Sequence, residues 1–260
     1  MNNNILEIKN ISKIYHTLEG EVNAIKEISL DVRDGEFIAI VGSSGCGKST
    51  LLSILAGLDD ATTGTFKFNS DNPKIGYMLQ QDALFPWLSI IDNTTIGLDI
   101  QKNKTEENVA YVKQLLNDYG LSTFINRKPN ELSGGMKQRC ALIRTLAIKP
   151  DILILDEPFS ALDYQTRLAV SDDVYRIIKK EKKTAIMVTH DLAEAISMAD
   201  RIIVLSKRPC TIKRIYEINL TNKSFPIENR KAPEFSIYYD KIWKDLDINV
   251  NWTEELFKED

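Results

Sequence analysis

The sequence has little with which to build a disulfide framework, a membrane span or a basic surface. Its 260 residues hold three cysteines, Cys46, Cys140 and Cys210. They are widely separated and odd in number, which suggests neither a disulfide set nor a zinc site and fits a reducing cytosol. No apolar run approaches the roughly 18 residues of a membrane-spanning helix. The opening MNNNILEIKN carries no basic start and no long apolar stretch, so no secretion signal is expected. Lys plus Arg number 33 against 37 Asp plus Glu, a formal net charge of −4. That sign disfavours a general binder of nucleic acid, and no nucleic-acid partner is expected. There is no internal repeat, heptad run or low-complexity segment. What remains is 43% hydrophobic and 27% charged. That is ordinary for a globular chain long enough to bury a core, as one large domain or two small ones.

The richest stretch is EFIAIVGSSGCGKSTLLSILAGL, residues 36 to 58. Phe37 to Val41 is an apolar run of strand length. Gly42, Ser43, Ser44, Gly45, Cys46 and Gly47 make a glycine-rich turn. From Lys48 the spacing predicts a helix, with Leu51, Leu52, Leu55 and Leu58 on one stripe. Strand, loop and helix together are the setting that a phosphate loop needs. Glycines let several backbone N–H groups face one anion, and the helix N-terminus adds partial positive charge. Lys48 adds a full charge at the β/γ-phosphates, and the Ser49 hydroxyl is placed to ligate Mg²⁺.

Elsewhere the pattern alternates strand and helix. Residues 5–11 and 24–32 alternate apolar and polar, as half-buried strands do. Residues 65–68 and 75–78 read as further short strands, and an early antiparallel sheet beside a nucleotide-binding core follows. Residues 105–118 and 133–148 read as helices, the second capped by Ser133 and stopped before Pro150. Residues 83–150 are therefore a mostly helical insert. Residues 151–155, 185–188 and 201–205 are apolar strands of a buried parallel sheet, the last of these being the final core strand, and 165–180 is a helix. In a parallel α/β sheet ligands gather at the strand C-terminal ends. Gly42–Ser49, Gln80, Asp156–Glu157 and His190 all fall at such ends.

Each carries chemistry. Asp156 is suited to hold Mg²⁺, and Glu157 to polarise an attacking water as general base. His190 can bond the γ-phosphate and fix the water–Glu157 geometry, and Gln80 can reach both Mg²⁺ and that water. Each also has a plainer reading, as a helix cap, a surface pair or a solvated strand end. The stretch LSGGMKQR puts Ser133, Gly134 and Gly135 at a helix start with free amides, which is a second anion site. Residues 221–260 form a polar stretch followed by an amphipathic helix marked by Phe235, Tyr238, Tyr239, Ile242 and Leu246.

The phosphate loop, Gln80, LSGGMKQR, ILILDEP, Ser160–Asp163 and His190, in this order, resemble the ATP-binding subunit of an ABC transporter over about residues 5–215. The resemblance implies an α/β fold: a P-loop NTPase, RecA-like core with an antiparallel β subdomain and an inserted α-helical subdomain. It implies an ATPase unit at 1–220, comprising RecA-like and β parts 1–82 and 151–220 with the helical subdomain 83–150, and a C-terminal extension at 221–260. It also implies ATP and Mg²⁺ as ligands and a head-to-tail dimer of two copies. Each ATP would lie between Gly42–Thr50 of one copy and Ser133–Gly135 of the other, with Asp163 linking the sites and Tyr15 stacking on adenine. Leu84–Leu88, Asp92–Asn93, the methionine of LSGGM and the tail with Pro226, Arg230 and Ile242–Trp243 resemble the nitrate, sulfonate, taurine and thiamine-precursor importers. That implies transmembrane permease subunits as partners, a solute-binding protein as an indirect one, and a place at the cytoplasmic face of the membrane. Three rivals are a soluble ABC-type ATPase without a membrane partner, a non-hydrolysing nucleotide-dependent regulator and an iron–sulfur assembly ATPase.

Overall fold

In the computed structural model, residues 4–18, 20–70 and 72–246 are described. The end of the expected C-terminal extension, 247–260, lies outside them, as do residues 1–3 of the expected ATPase unit. Nine strands and eight α-helices build the described part. Strands β1 (Asn4–Thr17) and β2 (Gly20–Arg33) form a long antiparallel pair, and β4 (Thr63–Phe68) joins β1 on its other side. The larger sheet has the order β5–β6–β7–β3–β8–β9: β5 (Ile75–Met78), β6 (Ile152–Asp156), β7 (Thr184–Val188), β3 (Phe37–Val41), β8 (Arg201–Leu205) and β9 (Ile212–Glu217). The first five run parallel and β9 is antiparallel to β8.

The sheet's central strands are buried along their whole length, and successive residues feed two different cores. Phe37, Ala39, Val41, Leu153, Leu155, Met187 and Val204 face the helical side. Ile38, Ile40, Ile152, Ile154, Ile186, Val188 and Ile203 face the antiparallel sheet and helix α1 (Lys48–Leu55). This is the period-2 geometry of a strand buried on both faces. The helical side holds α2 (Ile90–Ile100), α3 (Glu106–Asp118), α4 (Gly134–Ala147), α5 (Tyr164–Lys180) and α6 (Leu192–Met198). After β9 come the short α7 (Pro226–Asn229) and α8 (Pro233–Asp245). The fully buried Ile242 seats α8 on this core, with Phe235, Tyr238, Tyr239 and Leu246 packed beside it.

Two expectations need correction. Helix α1 ends at Leu55, and Leu58 is exposed beyond it rather than on the apolar stripe. Strand β5 joins the parallel sheet, so only β4 of the two short strands completes the antiparallel one. Finally, the sheet has a strand that was not expected: after 201–205, which is the last core strand, β9 follows as an edge whose residues are mostly exposed.

Candidate active site

Strands β3, β7, β6 and β5 are parallel and adjacent, so their C-terminal ends share one edge of the sheet. At the end of β3 the loop to α1 turns through Gly47 at φ 128°, a conformation L side chains rarely adopt. A Cβ there would meet the Ala24 carbonyl oxygen at 2.9 Å and Cys210 Cβ at 3.2 Å, so only glycine fits. No side chain caps α1, which leaves its first amides free for an anion. Lys48 is buried, and its Nζ donates to the carbonyls of Gly42 at 2.8 Å and Ser43 at 3.0 Å. A lysine held this way can move to phosphate oxygens by exchanging neutral acceptors for charged ones.

Asp156 ends β6 beneath the loop. Its carboxylate accepts from Ser49 Oγ at 3.4 Å and from Tyr77 Oη at 3.2 Å. Desolvation by burial raises its pKa, against the opposing effect of those two hydrogen bonds. The same burial, with Asp156 alongside, pushes Tyr77 up to about 12. A buried carboxylate with a raised pKa beside a serine hydroxyl is a site that gains from a cation. Ser49, Asp156 and the Gln80 amide are hard oxygen donors of the kind Mg²⁺ takes, and Mg²⁺ keeps few protein ligands, the rest being phosphate and water. Among the described residues no cluster of three His, Cys, Asp or Glu forms a metal cage.

Glu157 follows with φ 44°, an unusual conformation for a non-glycine residue, while its N–H still bonds the Val188 carbonyl at 2.9 Å. Its Oε2 accepts from Gln80 Nε2 at 3.1 Å and lies 3.2 Å from His190 Nδ1. Three strand ends thus converge on one carboxylate. His190 is largely exposed, with its ring in the cleft.

A cleft of about 690 Å³ opens here. Of the expected residues, Tyr15, Ser44, Gly45, Gly47, Lys48, Ser49, Thr50, Gln80, Glu157 and His190 line it. Tyr15 donates its hydroxyl to Asp59 at 2.9 Å, and the Lys13 ammonium lies 5.0 Å from the ring centroid. Gly42 and Ser43 contribute carbonyls to Lys48. Cys46 turns its side chain away, buried against the antiparallel sheet, where a hydrogen bond with Cys210 is the main cause lowering its thiol to about 6. Thr17, Val22, Ala24 and Arg208 also line the cleft and carry no sequence motif. Val22 comes there because it stands opposite Tyr15 in the β1–β2 pairing.

Ser133, Gly134 and Gly135 do not line this cleft within one chain. Ser133 caps α4, its Oγ accepting from Met136 N at 3.4 Å. Ser133 and Gly134 are exposed, whereas Gly135 is buried, and a Cβ there would meet Val170 Cγ2 at 2.9 Å and Thr166 Cγ2 at 3.0 Å. The second glycine therefore serves close packing of α4 on α5. Asp163 caps α5 through Thr166 N at 3.1 Å.

A family model described as ABC transporter matches residues 25–160. The chain belongs to the ABC transporter family. It is an ATP-binding, ATP-hydrolysing member. It is 44% identical over 247 residues to the uncharacterized ABC transporter ATP-binding protein YtlC of Bacillus subtilis, covering 93% of this chain and 95% of that protein. It is 39% identical over 249 residues to the nitrate import ATP-binding protein NrtD of Synechocystis, covering 91% and 93%. Among solved structures, the dimeric post-hydrolysis state of the ATP-binding cassette MJ0796 bound to ADP and Pi matches with a TM-score of 0.70. It is 33% identical, and the match covers 82% of this chain and 99% of that one. The α/β, P-loop fold class read from the sequence agrees with these neighbours.

Proposed function

We propose that two copies of this ABC ATPase close head to tail on two ATP molecules and drive membrane-embedded permease subunits that import a small solute. The observation that carries this reading is the meeting of Gln80, Glu157 and His190 beside Lys48, from four strand ends, in one cleft. Lys48 and the loop amides hold the β/γ-phosphates. Ser49, Asp156 and Gln80 would hold Mg²⁺, which supplies charge neutralisation at the phosphate oxygens. Glu157 orients the attacking water and takes its proton. His190 faces Glu157 with Nδ1, which leaves Nε2 to bond the γ-phosphate. The exposed Ser133 and Gly134 of the second copy meet the nucleotide from the other side, and Asp163 lies at the joint. Tyr15 stacks on adenine. Residues 83–150 are the helical subdomain of an ATPase unit spanning 1–220, and 221–260 is an appended extension.

The permease contact falls on Phe85–Leu88. Trp87 is 68% exposed and lies against Phe85, with ring centroids 5.4 Å apart and the planes tilted by 51°. This exposed aromatic loop is held rigidly by the buried Asn93, which accepts from Phe85 N at 2.7 Å and donates to the carbonyls of Phe85, Leu88 and Ser89. Such a loop suits a partner's apolar surface. Among the described residues no helix is long and apolar enough to cross a membrane, so attachment to the cytoplasmic face would come through the permease. The name of the Synechocystis relative supports nitrate as cargo, and the resemblance carried by Leu84–Leu88 widens this to a related small solute such as a sulfonate or taurine.

The test is Glu157→Gln. Phosphate release should fall by at least about a hundredfold while Mg-ATP still binds, because only the general base is lost. Turnover near the wild-type rate would contradict the role of Glu157. Capture of the wild type with permease subunits from membranes supports the importer reading. Recovery of the chain from membranes with no permease subunit bound supports a soluble ATPase instead.

A further inference from the structure

Arg208 belongs to no motif, yet it sits in the nucleotide cleft. It lies in the loop joining β8 to β9, on the far side of β3 from Gln80, Glu157 and His190. Its Nη2 donates to the carbonyl of Gly45, at the crest of the phosphate loop, at 2.8 Å. The loop that presents it is anchored on β2: Cys210 N bonds the Ala24 carbonyl at 3.0 Å, and Lys26 N bonds the Cys210 carbonyl at 2.9 Å. Across the loop's neck, Ser206 N bonds the Thr211 carbonyl at 2.9 Å, and Ser206 Oγ donates to the Pro209 carbonyl at 3.1 Å.

A loop that aims its amides inward at phosphates must turn carbonyls outward, and those need donors. Arg208 supplies one. A guanidinium carries five N–H donors in a fixed fork, and the bond to Gly45 uses only one. Among the described residues no carboxylate pairs with Arg208, so its charge is left to the cleft. Lys48 sits in the same cleft beneath the loop. The two cations reach the phosphate loop from different sides.

We propose that Arg208 is a nucleotide-positioning residue. It fixes the crest of the phosphate loop through Gly45 and turns its remaining donors and charge toward the α/β-phosphates of bound nucleotide. The proposal rests on the ATP reading of this cleft. A contact at the α/β-phosphates is shared by ATP and ADP, so both should depend on it.

The experiment is calorimetric titration of the full chain with Mg-ATP and Mg-ADP. Wild type, Arg208→Ala, Arg208→Gln and Arg208→Lys are compared at low and high salt, with steady-state kinetics and nucleotide-free melting. Arg208→Ala should weaken both nucleotides about tenfold, the low end for a hydrogen bond to a charged group. KM should rise with kcat held within about twofold, as for loss of uniform binding. Arg208→Lys should regain most of the affinity and its salt dependence, and Arg208→Gln should not, since it can donate a hydrogen bond but carries no charge. Nucleotide-free melting should be unchanged. Wild-type affinity in Arg208→Ala or in Arg208→Gln overturns the proposal, as does a fall in kcat with KM unchanged. Failure of the wild type to bind either nucleotide would instead sink the reading of the cleft itself.

Discussion

Glu36→Gln removes one charge from a buried pair that ties three strands together at the edge opposite the nucleotide. The Glu36 carboxylate accepts from Arg201 Nε at 2.6 Å and Nη2 at 3.1 Å, and from the Arg33 N–H at 2.9 Å. Arg201 also donates to the Asp31 carbonyl on β2. The two side chains are only 7% and 5% exposed. Gln keeps the size of Glu but leaves the Arg201 charge desolvated without a counter-ion. Breaking a buried pair from one side costs about 3–5 kcal/mol. At about 2–4 °C per kcal/mol for chains near this size, melting should fall by roughly 10 °C. Glu36 and Arg201 lie at the starts of β3 and β8, and the nucleotide gathers at strand ends, so Mg-ATP affinity of the folded protein should hold. The paired replacement Glu36→Leu with Arg201→Met should recover most of the loss, since apolar isosteres of buried pairs are often neutral or better. Urea unfolding followed by circular dichroism measures all three proteins. A loss below about 1 kcal/mol, the range of an exposed pair, or a double variant worse than the single one, would refute the reasoning.

Lys48→Ala should weaken Mg-ATP binding by at least about tenfold, since a charged hydrogen-bond donor to phosphate is lost; unchanged calorimetric affinity would count against the phosphate loop. Ser133→Ala should cost about 1 kcal/mol of stability through the lost cap, and should also abolish nucleotide-dependent pairing of copies, read by gel filtration in the Glu157→Gln background. Glu194 is buried beside Thr189, whose hydroxyl donates to it at 2.7 Å, with Asp191, Arg167 and Arg230 nearby. Burial, the largest influence, raises its carboxyl from 4.5 to about 7. The native state therefore keeps this proton after the unfolded chain has lost it, so its contribution to stability is full below about pH 4.5 and lost as pH rises to about 7. The amount is on the order of 3 kcal/mol. Glu194→Gln should remove that part of the slope and exceed the wild type in urea midpoint at pH 8.

The central sheet was legible because strands buried on both faces write continuous apolar runs, as ILIL before Asp156 and AIMV before Thr189 do. The edge strand β9, IKRIYE, writes no such run. Helix α2 was illegible for another reason. Its β-branched and glycine-containing sequence disfavours helix, but Thr94 and Thr95 bond back to the carbonyls of Ile90 and Ile91, and Gly97 packs close against Ile148. Tertiary packing decides there. In the site, residues on strand ends were readable because one motif accompanies each. Arg208, Thr17, Val22 and Ala24 reach the cleft from a loop and from the other sheet, and nothing local marks them. Nor could spacing show that Cys46 and Cys210 meet behind the loop.

The shared-site dimer is tested most directly by the mass of Glu157→Gln in solution, by light scattering with and without Mg-ATP. Because this variant binds ATP without consuming it, a particle of twice the chain mass should accumulate with Mg-ATP and disperse when nucleotide is withdrawn. A single-chain mass at saturating Mg-ATP would contradict the account.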